Sequence, residues 1–208
     1  MKIYDYKGFP NPLRVRIALA EKGLLHAVEF VHVDVPAGEH KQPAFLAKNP
    51  TATVPVLELD DGTVISECTA ITEYIDNHDG EPLLTGRTPK ERAIVHMMQR
   101  RIEAGLLDAA TAYFHHATPG LGPNIETYQN HEWGEHQRMR VVATMRALDG
   151  ELATRPYMAG EMFTMADITA MAGMRFAGFV KIEMPVECTN LAAWCARVDA
   201  RPSLAEAA

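Results

Sequence analysis

The spacing of apolar positions changes character near residue 80. Before it, short alternating runs are separated by helical ones; after it, only helical spacing is found. Lys2 to Tyr6 reads as a strand. Asn11-Pro12 then opens a helix, with Asn as N-cap and Pro at the first helical position. Leu13, Ile17, Ala20 and Leu24 supply its apolar stripe, and Gly23 signals its stop. Val28 to Val33 is a second strand, and Glu39 to Lys48 a short helix ended by Asn49-Pro50. Val54 to Leu59, the turn Asp60-Asp61-Gly62 and Thr63 to Ile65 make a hairpin. Ser66 caps a helix reaching about Asn77. The order βαβαββα implies parallel pairing first and an antiparallel edge from the hairpin.

Residues 80–88 are rich in turn formers and poor in apolar side chains, which marks a linker. It separates residues 1–79 from an all-helical region, residues 89–208. Thr88-Pro89-Lys90-Glu91 is a capping box that starts a long helix, Pro89 to His116. The run from Thr118 to Pro123 breaks it. A second long helix spans Tyr128 to Ala153. Thr164-Met165-Ala166-Asp167 resembles another capping box. The helix it opens, Ile168 to Val180, is apolar on all sides and is expected at the buried centre of this half. A last helix runs from Asn190 to Ala200.

Composition narrows the function classes. The 208 residues carry a formal net charge of -7. This argues against nucleic acid or an anionic membrane as partner. Cys68, Cys188 and Cys195 are odd in number and widely spaced, with no CxxC. They are neither a disulfide framework nor a zinc site, and no metal is expected. The amino-terminal residues lack an apolar signal core, and no apolar run reaches the roughly 18 residues of a membrane span. A cytoplasmic location follows as the expectation.

Four segments carry a family resemblance. Asn49-Pro50-Thr51-Ala52-Thr53-Val54-Pro55-Val56-Leu57 resembles the NP-x-x-x-VP-x-L segment of cytosolic glutathione transferases. Glu67-Cys68-Thr69-Ala70-Ile71 is similar to their E-S-x-A-I segment, and Val15 to Gly23 to their first helix. Met165-Ala166-Asp167-Ile168 is similar to the cap of their buried second-domain helix. The stretch Phe114 to Pro123 is similar to an atypical fungal and bacterial branch. The resemblance implies a thioredoxin-like α+β domain followed by an all-α bundle. It also implies glutathione as co-substrate, a small hydrophobic electrophile as second substrate, and a homodimer.

The site residues are expectations of the same kind. At the start of a helix, Glu67 and Cys68 answer the γ-glutamyl end of glutathione. The N–H groups there suit its carboxylate, and the Glu67 carboxylate suits its ammonium. The resemblance implies a cis Val54-Pro55 bond whose exposed backbone pairs with the cysteinyl segment. His40 and Lys41 suit the glycyl carboxylate. A free thiol has a pKa of about 8.5, so catalysis needs the thiolate stabilised. Phe9 stands about where many family members place a hydroxyl, and it donates no hydrogen bond. Asn11, similar to the Asn of bacterial Nu-type transferases, supplies a side-chain donor at the first helix's start. His115 and His116 end the fourth helix, where a His can hold an activating water or act as a base. Phe9 and Tyr113 border the hydrophobic substrate site. Two alternatives stay open: glutathione-dependent reduction of disulfides or peroxides, and a non-catalytic glutathione-binding or protein-interaction module.

Overall fold

A computed structural model describes residues 1–207. The chain divides into two compact units, one of residues 1–84 with the segment from Pro202 onward, the other Thr85–Arg201.

The first unit is a four-stranded mixed sheet with helices. Its strands are β1 (Lys2–Asp5), β2 (Glu29–His32), β3 (Val56–Glu58) and β4 (Val64–Ser66), in the order β2-β1-β3-β4. β1 and β2 run parallel, with Ile3 opposite Phe30, and the connection between them carries α1 (Pro10–Glu21). β3 pairs antiparallel with β1 and, through the turn at Gly62, with β4. On α1 and α3 (Cys68–Asn77), Val15, Leu19, Ile71 and Ile75 meet Ile3 and Leu57 of the sheet in one buried cluster. Each such side chain contributes about 1.5–3 kcal/mol by leaving water.

Several boundaries differ from the sequence pattern. α1 begins at Pro10, and its N-cap is Phe9, in extended conformation with no side-chain cap. Pro10 fits the first turn because its missing N–H is an orphan there anyway; Asn11 therefore lies inside the helix and is not the cap. Glu39 to Lys48 is not one helix. A 3₁₀ turn, Glu39–Lys41, is followed by α2 (Pro43–Leu46), because Gln42 is held extended at ψ 150 before Pro43. α3 has Glu67, not Ser66, at its N-cap.

The segment after α3 is fastened to the first unit. The Asp76 carboxylate accepts the N–H groups of Leu83 and Leu84, both at 2.9 Å. Lys22 Nζ, at the end of α1, donates to the carbonyls of Asp76 and Glu81 at 3.0 and 2.8 Å. A helix absent from the sequence reading, α9 (Pro202–Ala207), packs on α1. Leu204 is buried there, and the Ser203 hydroxyl bonds Glu21.

The second unit contains no strand among its described residues. α4 (Pro89–Ile102) opens with the expected capping box. It continues through a π-helical turn, Glu103–Leu107, into α5 (Asp108–Ala117), so the long helix carries one wide turn within it. The turn meets α6 (His131–Leu152): Thr144 Oγ1 donates to Gly105 O at 2.9 Å. A Cβ on Gly105 would come within 2.7 Å of Thr144 Oγ1, so a side chain there would force the two helices apart. α7 (Met165–Phe179) is the buried centre, as its composition implies. Asp167, fully buried, accepts from Thr164 N and Oγ1, from Met158 N, and from Trp194 Nε1 of α8 (Thr189–Asp199).

Candidate active site

The beginnings of α1 and α3 meet in the first unit. Cys68, the first residue of α3, places its Sγ 3.5 Å from the carbonyl oxygen of Asn11, the second residue of α1. The positive ends of two helix dipoles thus share one neighbourhood, which favours anionic groups. The Cys68 side chain itself is buried and packs in the sheet–helix core.

Glu67 enters α3 at φ 70, ψ 123, a conformation in which an L side chain is strained by about 1–3 kcal/mol. Its side chain is exposed. Such outliers persist where the surroundings hold them in place, and they cluster at functional positions. Nearby in sequence, the Val54-Pro55 bond is cis. The β1–β3 register ends at Tyr4 opposite Val56, so the Val54 backbone lies beyond the ladder. Asn49 braces this loop by donating to the carbonyl and hydroxyl of Thr53 at 2.9 and 3.0 Å.

At the start of α1, Asn11 Oδ1 accepts from Arg14 Nη1 at 3.0 Å. That contact fixes the amide's orientation and leaves its N–H₂ end as the donor directed elsewhere. Arg14 is a supporting residue that the sequence reading missed, because a buried arginine inside a helix looks like any other polar position. Phe9 packs on Tyr6 with ring centroids 4.5 Å apart, and Tyr6 in turn lies against His32. Tyr4 is occupied elsewhere: its hydroxyl donates to Glu58 at 2.8 Å, and Lys48 joins the same carboxylate.

His40 and Lys41 sit on the 3₁₀ turn with opposite exposure, His40 buried and Lys41 exposed. Burial, with the Lys41 charge beside it, holds the His40 imidazole below its ordinary pKa. Its buried Nδ1 has no hydrogen-bond partner among the described residues.

The remaining candidates lie in the second unit. Tyr113 is half-buried on α5. His115 and His116 are in the last turn of α5, each tied through Nδ1 to the segment that follows. His115 Nδ1 is 2.7 Å from Glu126 Oε1, and His116 Nδ1 accepts the Asn130 N–H at 3.1 Å. Glu126 was also missed; it stands 11 residues after His115 in a turn-rich stretch, with no periodicity to link the two.

Comparison with known proteins decides the family. The glutathione S-transferase N-terminal domain model matches residues 10–78 and the C-terminal domain model residues 109–202. Glutathione S-transferase 2 of Saccharomyces cerevisiae is 58% identical over 204 residues, covering 98% of this chain and 88% of the yeast protein. The chain belongs to the glutathione S-transferase family. A crystal structure of Gtt2 from S. cerevisiae covers 100% of both chains with a TM-score of 0.98 and 57% identity. A glutathione S-transferase domain-containing protein from Marinobacter aquaeolei VT8 gives 0.96 and 58%, covering 98% of this chain and 100% of that one. The thioredoxin-like sheet and the helical bundle are thus those of a glutathione S-transferase, and the chain is an enzyme of that family.

Proposed function

We propose that the enzyme activates the thiol of glutathione and joins it to small hydrophobic electrophiles. The observation that carries this reading is the β3–β4 register, Val56 opposite Ser66, which sets Glu67, in its strained entry to α3, just past the ladder as Val54 is on the other strand. A peptide laid along Val54 makes main-chain hydrogen bonds as an added strand does. Its γ-glutamyl carboxylate meets the N–H groups at Glu67 and Cys68, and its ammonium meets the Glu67 carboxylate. His40 and Lys41 answer the glycyl carboxylate; the unpaired Nδ1 of His40 supports its part in this.

The thiolate is stabilised by the Asn11 amide and the N-terminus of α1, with His115 or His116 assisting, directly or through water. Phe9 and Tyr113 supply apolar surface for the electrophile. The enzyme works as a cytoplasmic homodimer without a metal or a membrane or nucleic-acid partner. None of the three cysteines is in a disulfide, and no described helix is long and apolar enough to cross a membrane.

Calorimetric titration with glutathione, together with turnover of chlorodinitrobenzene, tests the reading. Binding with turnover is the expected result. Binding with turnover only of disulfides or hydroperoxides would move the function to reduction, and binding with no turnover would overturn it. For the assembly, light scattering at micromolar concentration should give twice the 23.0 kDa chain mass; a monomer would contradict the dimer.

A further inference from the structure

The second unit carries a groove that the proposed thiol chemistry does not use. One wall is α6; the other is the end of α4 with the wide turn Glu103–Leu107 that follows it. The groove encloses about 560 Å³, a volume in the range of small-molecule pockets. Its floor is apolar, made by the buried side chains of Met98, Ile102 and Leu148. Ala104, Ala143 and Ala147 line its walls, and their short side chains leave the space open. Ala104 belongs to the π-helical turn, a feature that recurs at functional sites.

The lining is basic in a chain whose formal net charge is -7. Arg100 and Arg101 come from α4 and Arg140 from α6, against a single carboxylate, Glu151. Glu151 is already neutralised by Arg155, one helical turn further on. Arg100 lies 3.5 Å from Glu103 and 3.4 Å from Asp108, so its charge is answered along the same run of helix. Arg101 and Arg140 are exposed, and neither has an ion-pair partner among the described residues. Two lone surface arginines are ordinarily a solvated face. Here each wall of one apolar-floored cavity supplies one of them.

We infer that this groove binds a small phosphate monoester with an apolar body. A monoester carries about -1.5 to -2 at pH 7, which matches the two unpaired guanidiniums. Its oxygens accept the paired N–H donors that a guanidinium presents. A carboxylate or sulfonate carries one charge and leaves one arginine unanswered. Inorganic phosphate has no body to cover the Met98, Ile102 and Leu148 floor. Every residue named lies in the second unit, and the inference is independent of the glutathione reading.

Calorimetric titration of the full chain with 1-naphthyl phosphate, near neutral pH, tests it. Saturable binding of one molecule per chain is expected, about tenfold or more tighter than that of inorganic phosphate or of uncharged 1-naphthol. Naphthalene-1-sulfonate, with the same body and one charge, should bind more weakly. Acidification through about pH 6 should weaken the phosphate ester as it takes up a proton and leave the sulfonate unchanged. Arg101→Gln and Arg140→Gln should each weaken naphthyl phosphate about tenfold or more, with unfolding midpoints at the wild-type value because both side chains are exposed. Arg138→Gln, at an exposed α6 arginine paired with Glu135 outside the groove, should have no effect. No saturable binding of naphthyl phosphate overturns the proposal, as does binding that survives Arg101→Gln and Arg140→Gln combined. Equal affinity for the phosphate ester and the sulfonate overturns the assignment of a phosphate.

Discussion

Cys68 Sγ sits 3.5 Å from the carbonyl oxygen of Asn11, so α1 and α3 begin side by side. In the proposed reading, a γ-glutamyl carboxylate at one start and a thiolate at the other would draw on neighbouring helix termini, in place of the hydroxyl that Phe9 does not bring.

Asn11 is expected to carry the donor role. Asn11→Ala should raise the pKa of bound glutathione and lower turnover by about ten- to a thousandfold, the range for losing one oxyanion-type donor or less. Asn11→Asp keeps the oxygen that Arg14 holds but loses the donor, and should be as damaging. Ultraviolet absorbance of the bound thiolate against pH reads both. Tyr4→Phe should leave the signal in place, since Tyr4 is committed to Glu58; its disappearance there would transfer the role to the strand tyrosine.

Glu67 combines a proposed ligand role with a strained backbone, and two substitutions separate them. Glu67→Ala and Glu67→Gly should each raise the Kd for glutathione about tenfold or more, a loss of at least about 1.4 kcal/mol. Glycine accepts φ 70 without a Cβ penalty, so the Gly variant should be more stable than the Ala variant by about 1 kcal/mol in urea unfolding. Equal binding by wild type and both variants would remove Glu67 from the site.

His40 gives the fold a pH dependence of definite sign. Its folded pKa lies below the ordinary 6.5, chiefly through burial. As pH falls, the unfolded chain takes up the proton first. Stability is therefore whole above about 6.5 and declines below it, until the folded imidazole also protonates. Urea midpoints for wild type and His40→Asn should diverge toward neutral pH and converge as pH falls. Parallel profiles would contradict the assignment.

Asp167 is expected to be the costliest single carboxylate to lose. Asp167→Ala strands the donors of Thr164, Met158 and Trp194 inside the second unit. At about 1–3 kcal/mol for each buried donor left unpaired, the loss should be at least about 3 kcal/mol. Chemical denaturation measures it; a change under about 1 kcal/mol would mean that the donors find other partners.

The architecture was legible because its signals are local. The alternation in β1, the Thr88 and Thr164 capping boxes and the all-round apolar character of α7 each specify an element from neighbours in sequence. Prolines misled in two places. Pro10 took the first helical position that Pro12 seemed to mark, and Pro43 split a helix that apolar spacing alone would continue. The π turn left no trace in sequence, and the contact made within it, Gly105 with Thr144, is with a residue 39 positions away. Within the candidate site, residue types were readable and their partners were not. Asn11 was readable as a candidate donor, but not that Arg14 holds its oxygen. His115 was readable as a candidate base, but not that Glu126, 11 residues on in a turn-rich stretch, lies against it.

The packing of α9 on α1 means that the first unit is not contiguous in the gene. A fragment ending at Leu84 would lack residues 202–207 and leave bare the part of α1 that Leu204 covers. Excision at the apparent domain boundary is thus the wrong cut. A circular permutant that joins the segment from Pro202 directly to Met1 would encode the whole first unit as one uninterrupted stretch.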